Sequence, residues 1–169
     1  MASSIQKNLV EKNTEYASQF AKGDLALPPA KHYLILTCMD ARLDPAAAFG
    51  IDLGDAHVIR NAGGSARDAQ RSIIISEQLL GTKEIVVIKH TGCGMLTFSN
   101  EQAHDLVKKN LGPSAAAEIA TLDFLPFSDL EYAVREDVGY LKKSATVPDD
   151  VAISGWIYEV ETGKVRQVV

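Results

Sequence analysis

Short apolar segments alternate with longer amphipathic segments along the chain, and this alternation predicts β-strands separated by α-helices. The predicted strands cover residues 33–38, 57–60, 84–89, 151–160 and 165–169. The first is almost wholly apolar, as is typical of a parallel strand covered on both faces. A turn at residues 161–164 predicts a final hairpin, so we expect four parallel strands and an antiparallel edge strand at the C-terminus.

Helical patterns fill the intervals between the predicted strands. They cover residues 4–21, 68–80, 99–110 and 128–143, with one further helical turn expected after Pro45. Asp68 is a candidate N-cap, and Ser99 and Ser128 each begin the capping-box pattern that opens many helices. In the first helix, the apolar residues expected to face inward are Ile5, Leu9, Val10, Tyr16 and Phe20. The whole pattern predicts one α/β domain over residues 1–169, with a mostly parallel sheet flanked by helices.

The composition is that of a globular protein, with 46% hydrophobic and 23% charged residues. The formal net charge is −5 and the basic residues are scattered, so nothing indicates a nucleic-acid-binding surface. The longest apolar runs are too short to span a bilayer, and the N-terminal residues lack the apolar core of a signal peptide. We therefore expect a cytoplasmic protein, in which two cysteines indicate metal binding or catalysis more often than a disulfide.

Both cysteines of the chain lie where predicted strands end. Cys38 closes the first strand, while His90 and Cys93 follow the third strand in a glycine-rich loop. The carboxyl ends of parallel strands form ligand sites, so these three side chains are expected to converge. Zinc prefers thiolate and imidazole ligands, and three ligands with an open fourth position are typical of a catalytic zinc. The sequence therefore predicts one catalytic Zn²⁺ per subunit.

Asp40 and Arg42 follow Cys38 closely and are expected to complete the site. A guanidinium can hold a carboxylate through two parallel hydrogen bonds. We therefore expect a switch, in which Asp40 either binds the metal or pairs with Arg42 and leaves the fourth position to water.

Other interpretations of these residues stay open. The cysteines could be small apolar core residues, a redox pair, or ligands of a structural zinc in a non-catalytic binding module. The remaining histidines are expected to lie outside the metal site. His57 is expected to be a hydrogen-bonded structural residue, His32 to lie at the opposite end of the sheet and His104 on a solvated helix face. No glycine-rich nucleotide-binding pattern occurs in the chain.

Three sequence blocks resemble the signature blocks of the beta class of carbonic anhydrases. They are CMDAR at residues 38–42, HVIRNAGG at residues 57–64 and HTGCGM at residues 90–95. The resemblance runs from residue 33 to residue 98, and the short chain resembles the compact subgroup of that class. It implies a lyase, a carbonate dehydratase, that interconverts carbon dioxide and bicarbonate through a zinc-bound hydroxide.

The resemblance also implies roles for individual residues and for a partner. The zinc ligands would be Cys38, His90 and Cys93, the catalytic dyad Asp40 and Arg42, and the substrate-binding residues Ala62, Gly63 and Gly64. A homodimer, or a tetramer built from it, is implied, with the N-terminal helix packed on the partner subunit. Compact relatives hydrolyse carbonyl sulfide or carbon disulfide at the same kind of zinc site, and the sequence does not separate these substrates from carbon dioxide.

Overall fold

A single five-stranded sheet forms the centre of the structure, which is a computed structural model describing residues 2–169. The strands are β1 (Tyr33–Cys38), β2 (Ala56–Asn61), β3 (Glu84–His90), β4 (Ala152–Tyr158) and β5 (Val165–Gln167). Their order across the sheet is β2-β1-β3-β4-β5. Strands β1 to β4 are parallel, and β5 runs antiparallel to β4. The predicted parallel sheet with an antiparallel C-terminal edge is confirmed.

Helices flank this sheet and connect its strands. They are α1 (Ser4–Ser18), α2 (Pro45–Phe49), α3 (Ala66–Gln78), α4 (Asn100–Leu111), α5 (Pro113–Glu118) and α6 (Leu130–Lys143). Two short 3-10 helices follow β2 and β3, at Ala62–Gly64 and Gly94–Leu96. The predicted helices are confirmed, whereas α5 was not predicted. Within residues 2–169, no helix has both the length and the apolarity needed to cross a membrane.

Two of the predicted helix starts are wrong, although the third is confirmed. The N-cap of α3 is Ser65, whose hydroxyl accepts a hydrogen bond from the backbone N–H of Asp68. Asp68 instead lies in the first turn, where a carboxylate interacts favourably with the helix dipole. Asp129, not Ser128, caps α6 by accepting from the N–H of Tyr132 at 2.7 Å. Ser99 forms the predicted capping box at the start of α4.

The hydrophobic core lies between the sheet and helices α3 and α6. Strands β1 and β3 supply its centre, with Leu34 and Leu36 of β1 and Ile85 and Val87 of β3 all inaccessible to solvent. Because these strands pair directly and in parallel, their carboxyl ends lie side by side. The core thereby holds the last residues of β1 and β3 in fixed positions next to each other.

Helix α1 lies outside this core. None of its side chains is buried, and the apolar residues predicted to face inward are exposed, Ile5 by 77% and Leu9 by 65%. The prediction of an inward-facing surface is therefore wrong for a single protomer. The helix forms nonetheless, because Ser3 and Gln6 make a complete capping box at its start.

Glu77, near the end of α3, is a buried carboxyl that the sequence analysis did not single out. It is 7% exposed, and neither carboxylate oxygen has a hydrogen-bond partner among the described residues 2–169. Burial raises the pKa of Glu77 to about 7, with Lys83 opposing the rise and Asp150 adding to it. Since the ordinary value is near 4.5, the unfolded chain loses this proton first as the pH rises. The free energy of unfolding therefore falls between these two pKa values and stays reduced above the higher one.

Replacing Glu77 with glutamine removes the titration and is expected to stabilise the protein at alkaline pH. The free energy of unfolding should exceed that of wild type by about 2–3 kcal/mol at about pH 8, and by almost nothing at about pH 4. Denaturant unfolding of both proteins at each pH measures this difference. Glu118→Gln, on the exposed surface of α5, is the matched control and should change nothing. An equal increase in the free energy of unfolding of Glu77→Gln at both pH values would contradict the raised pKa of Glu77.

Candidate metal centre

Two neighbouring strands bring the predicted metal ligands together. Cys38 is the last residue of β1 and His90 is the last residue of β3, and the two strands are paired directly. Cys93 follows in the loop after β3, where its sulfur lies 4.0 Å from that of Cys38. The two sulfurs and a ring nitrogen of His90 all lie within 4.8 Å of one another. The predicted convergence of the three side chains is confirmed.

The chemistry of these donors fits a zinc ion. Bonds of about 2.3 Å from a tetrahedral zinc place two thiolate sulfurs about 3.8 Å apart, close to the observed separation. Nδ1 of His90 lies 2.9 Å from the carbonyl oxygen of Thr91. This oxygen accepts a hydrogen bond from Nδ1–H, which leaves Nε2 with a free lone pair. Nε2 is buried and has no hydrogen-bond partner in the part of the chain described here. A buried lone pair of this kind is costly unless it binds a ligand.

The surroundings of the three donors are largely apolar. His90 is fully buried, and Cys93 and Cys38 are 2% and 5% exposed. The cysteines pack in a hydrophobic cluster with Leu43 and Met95, bordered by Ala62, Leu96, Phe98, Phe127, Tyr158 and Val160. Low local polarity strengthens electrostatic interactions and limits access of water.

The Cys38 sulfur lies in a setting that favours its thiolate form. The neighbouring Cys93 thiol lowers the pKa of Cys38 most, and His90 and the backbone amides of Asp40 and Gly63 lower it further, against the effect of burial. Thiolates are the form that binds metals. Of the two cysteines, Cys38 is therefore the one whose surroundings favour the form that binds a metal.

Asp40 and Arg42 form the predicted ion pair beside the cluster. The guanidinium donates from Nε to Oδ1 at 2.9 Å and from a terminal nitrogen to Oδ2 at 2.7 Å. These bonds hold the pKa of the Asp40 carboxyl well below its usual range. Oδ2 also lies 3.7 Å from Nε2 of His90, so the carboxylate lies next to one of the predicted metal ligands. Of the two predicted positions of Asp40, the structure contains the one paired with Arg42.

The loop before Cys93 holds Arg42 in place. The guanidinium donates to the carbonyl oxygen of Gly92 at 2.9 Å. Gly92 has a φ of 59°, a left-handed conformation that favours glycine.

The Ala62–Gly64 turn packs against the end of β1. Gly63 and Gly64 have φ angles of 73° and 60°, and a Cβ on Gly64 would lie 3.0 Å from the Thr37 carbonyl carbon and 3.2 Å from the Cys38 nitrogen. Only glycine permits so close an approach of two backbone segments. The predicted substrate-binding residues Ala62, Gly63 and Gly64 therefore lie beside the predicted metal ligands.

Sequence reasoning missed three charged residues that support this site. Arg60 donates to the carbonyl oxygens of Cys38 and Asp40, at 3.0 and 2.7 Å. Lys89 donates to the carbonyl oxygen of Gly63 and pairs with Asp137 of α6. Arg60 and Lys89 each lie within a short predicted strand. Charged residues are rarely buried in a strand without a partner, so their positions could have indicated a supporting role.

The remaining histidines lie away from the cluster. His57 is structural as predicted, with Nδ1 2.7 Å from the hydroxyl oxygen of Ser76. His32 lies at the opposite end of the sheet, where its carbonyl accepts from the N–H of Lys83, the residue before β3. The expected solvated position of His104 is only partly correct. Its Nε2 bonds to the Leu122 carbonyl and its ring packs edge-on against Phe124.

Comparisons with known proteins point to one family. The family model described as carbonic anhydrase matches residues 33–165. Beta-carbonic anhydrase 1 of Mycobacterium tuberculosis is 38% identical, over 97% of this chain and 98% of its own length. A carbon disulfide hydrolase of Acidianus sp. is 33% identical, over 99% of this chain and 90% of its own. The solved carbonic anhydrase of Glaciozyma antarctica superposes with a TM-score of 0.95 at 47% identity, covering 99% of this chain and all of that one.

Proposed function

The chain belongs to the beta class of the carbonic anhydrase family, and we propose that it is a zinc-dependent carbonate dehydratase that interconverts carbon dioxide and bicarbonate. The observation that carries this proposal is the cluster of two thiols and one unpartnered imidazole nitrogen at the carboxyl ends of β1 and β3. Cys38, His90 and Cys93 would hold one Zn²⁺ per subunit, with the fourth position open to solvent-derived ligands. A bound zinc supplies the Lewis acidity that makes water a nucleophile near neutral pH.

Asp40 acts as the acceptor that orients the reacting water. Its low pKa keeps the carboxylate ionised across the physiological range, so it accepts hydrogen bonds and donates none. Arg42 holds both of its oxygens, which fixes the direction in which Asp40 accepts. A fixed acceptor directs the lone pair of the nucleophile towards the substrate and lowers the entropic part of the barrier.

The apolar cluster around the cysteines favours a small apolar substrate. Ala62 borders this cluster, and the Gly63–Gly64 backbone lies next to it, so we assign these residues to the wall of the substrate site. Carbon dioxide carries no charge and loses little solvation free energy when it enters apolar surroundings. Bicarbonate is charged and is therefore better solvated by water outside the site. This difference favours release of the product.

Hydrolysis of carbon disulfide or carbonyl sulfide is the second candidate function. It is favoured by the carbon disulfide hydrolase relatives, which align with most of this chain at 33% to 35% identity. The higher identity of the structurally similar carbonic anhydrase, 47%, favours carbon dioxide. A structural zinc in a binding module is a weaker candidate, because the Asp40–Arg42 pair would then have no role beside the metal.

A stopped-flow hydration assay on protein of measured zinc content tests the proposal. We expect one zinc per chain and rapid hydration of carbon dioxide, with much slower turnover of carbon disulfide and carbonyl sulfide measured side by side. Faster turnover of the sulfur compounds would establish the second candidate. Tightly held zinc without any turnover would establish the structural module, and a protein that binds no zinc would contradict all three.

We further propose a homodimer in which α1 packs on the partner subunit. The support is the apolar face of α1, which the protomer leaves exposed at Ile5, Leu9 and Val10. Contiguous exposed apolar surface of this kind marks an interaction site. Light scattering should give at least twice the chain mass of 18.2 kDa.

A further inference from the structure

Lys89 is a buried lysine whose ammonium group is fully bonded. The residue is 2% exposed, and its Nζ lies 2.7 Å from Oδ2 of Asp137. It also donates to the carbonyl oxygens of Gly63 and Gly64, at 2.8 and 3.3 Å. An ammonium has three protons, and these three acceptors account for all of them. The Phe127 ring, 4.9 Å from Nζ, covers the group further.

The hydrogen bonds of Lys89 to Gly63 and Gly64 place its ammonium group next to the metal centre. Side chains of a strand alternate between its two faces, so Lys89 leaves β3 on the face opposite to His90. The Gly63–Gly64 backbone lies between Lys89 and Cys38. Its carbonyl oxygens accept hydrogen bonds from Lys89, and Gly64 packs against the backbone of Thr37 and Cys38. Lys89 therefore directly precedes one proposed ligand, His90, in the chain. It contacts another, Cys38, indirectly through the Gly63–Gly64 turn.

We infer that the Lys89–Asp137 pair positions the Ala62–Gly64 turn and, through it, the Cys38 ligand of the zinc site. This inference rests on the proposed function. Both glycines are in left-handed conformations that turn their carbonyls towards the same ammonium group. Asp137 fixes the ammonium from α6, so the turn is attached to the rigid core of the domain.

The pair is better explained by positioning than by stability. A buried ion pair contributes little net stability, and apolar side chains of similar volume often replace one without loss. Such a replacement would leave the fold intact but remove the donors to both glycine carbonyls. Groups that orient a metal ligand from outside the coordination shell change metal affinity by about 10–100-fold when they are mutated.

The test compares zinc affinities by competition with a chromophoric chelator, starting from metal-free full-length protein. The double variant Lys89→Met/Asp137→Leu removes the pair without leaving a charge buried, and it should bind zinc about 10–100-fold more weakly than wild type. Asp137→Asn keeps Lys89 but breaks the ion pair and leaves the ammonium charge buried, so its zinc affinity should fall between those of wild type and the double variant. Leu141→Ala, a core change on the same helix, is the matched control for lost stability and should leave the affinity unchanged.

Cobalt substitution supplies a second measurement that lost stability does not affect. The thiolate-to-cobalt charge-transfer band should shift in the double variant and not in Leu141→Ala, since only the former moves Cys38. If the double variant does not fold, Lys89→Gln/Asp137→Asn is used instead, because it keeps polar groups at both positions. The glutamine at residue 89 is too short to reach both glycine carbonyls, so this variant should still bind zinc more weakly than wild type. Wild-type affinity in whichever pair variant folds, or an equal loss in Leu141→Ala, overturns the inference. Failure of the proposed function is distinct, because wild type itself would then bind no zinc or hydrate no carbon dioxide.

Discussion

Replacing Cys38 with serine is expected to remove both zinc and activity. A hydroxyl is a far poorer zinc ligand than a thiolate, and the two remaining donors, His90 and Cys93, cannot hold the ion alone. The loss of affinity should exceed about 100-fold, because even residues outside the coordination shell account for roughly 10–100-fold. Metal analysis after dialysis, together with the hydration rate, measures both effects. The substitution is small, so the core around β1 should stay folded.

Met39→Ser is the matched control for this change. Met39 follows Cys38 directly but is 65% exposed, so the substitution alters neither a donor nor the core. Its zinc content and rate should equal those of wild type. A Cys38→Ser protein that retains a full zinc complement would refute the assignment of Cys38 as a ligand, and would leave His90 without an explanation for its unpartnered nitrogen.

The second large effect is expected at Asp40. Asp40→Ala should retain its zinc, since the three donors stay in place, but should lose about 100-fold in kcat because the nucleophile is no longer oriented. Steady-state rates at equal zinc content measure this loss. Arg42→Lys keeps a charge but not the forked geometry, and it should have an intermediate rate.

Another Asp with a short ion pair provides the comparison for Asp40→Ala. Asp55 pairs with Lys31 at 2.7 Å but precedes β2 and therefore lies at the opposite end of the sheet. Asp55→Ala should leave turnover unchanged. Wild-type turnover in Asp40→Ala would show that the Asp40–Arg42 pair has no catalytic role, and a loss of zinc in that variant would indicate that Asp40 itself binds the metal.

Local sequence patterns predicted most of the fold. β1 has the predicted bounds because its apolar run is uninterrupted. The order of the strands across the sheet, in which β3 lies beside β1, was not predicted and was decided by the tertiary fold. The N-caps of α3 and α6 were misplaced because several neighbouring residues could accept the same hydrogen bond. Helix α5 was missed because a six-residue segment carries too little periodicity to be recognised.

The sequence by itself determined which residues are the candidate metal donors and which form the Asp40–Arg42 pair, because residue type and short spacing carry that chemistry. Only the tertiary structure decided how these groups are supported. Three features depend on contacts between residues far apart in the chain: the burial of Nε2 of His90, the burial of Glu77, and the attachment of Lys89 to both Asp137 and the glycine turn. Such contacts form only when the helices pack against the sheet, so no local pattern could reveal them.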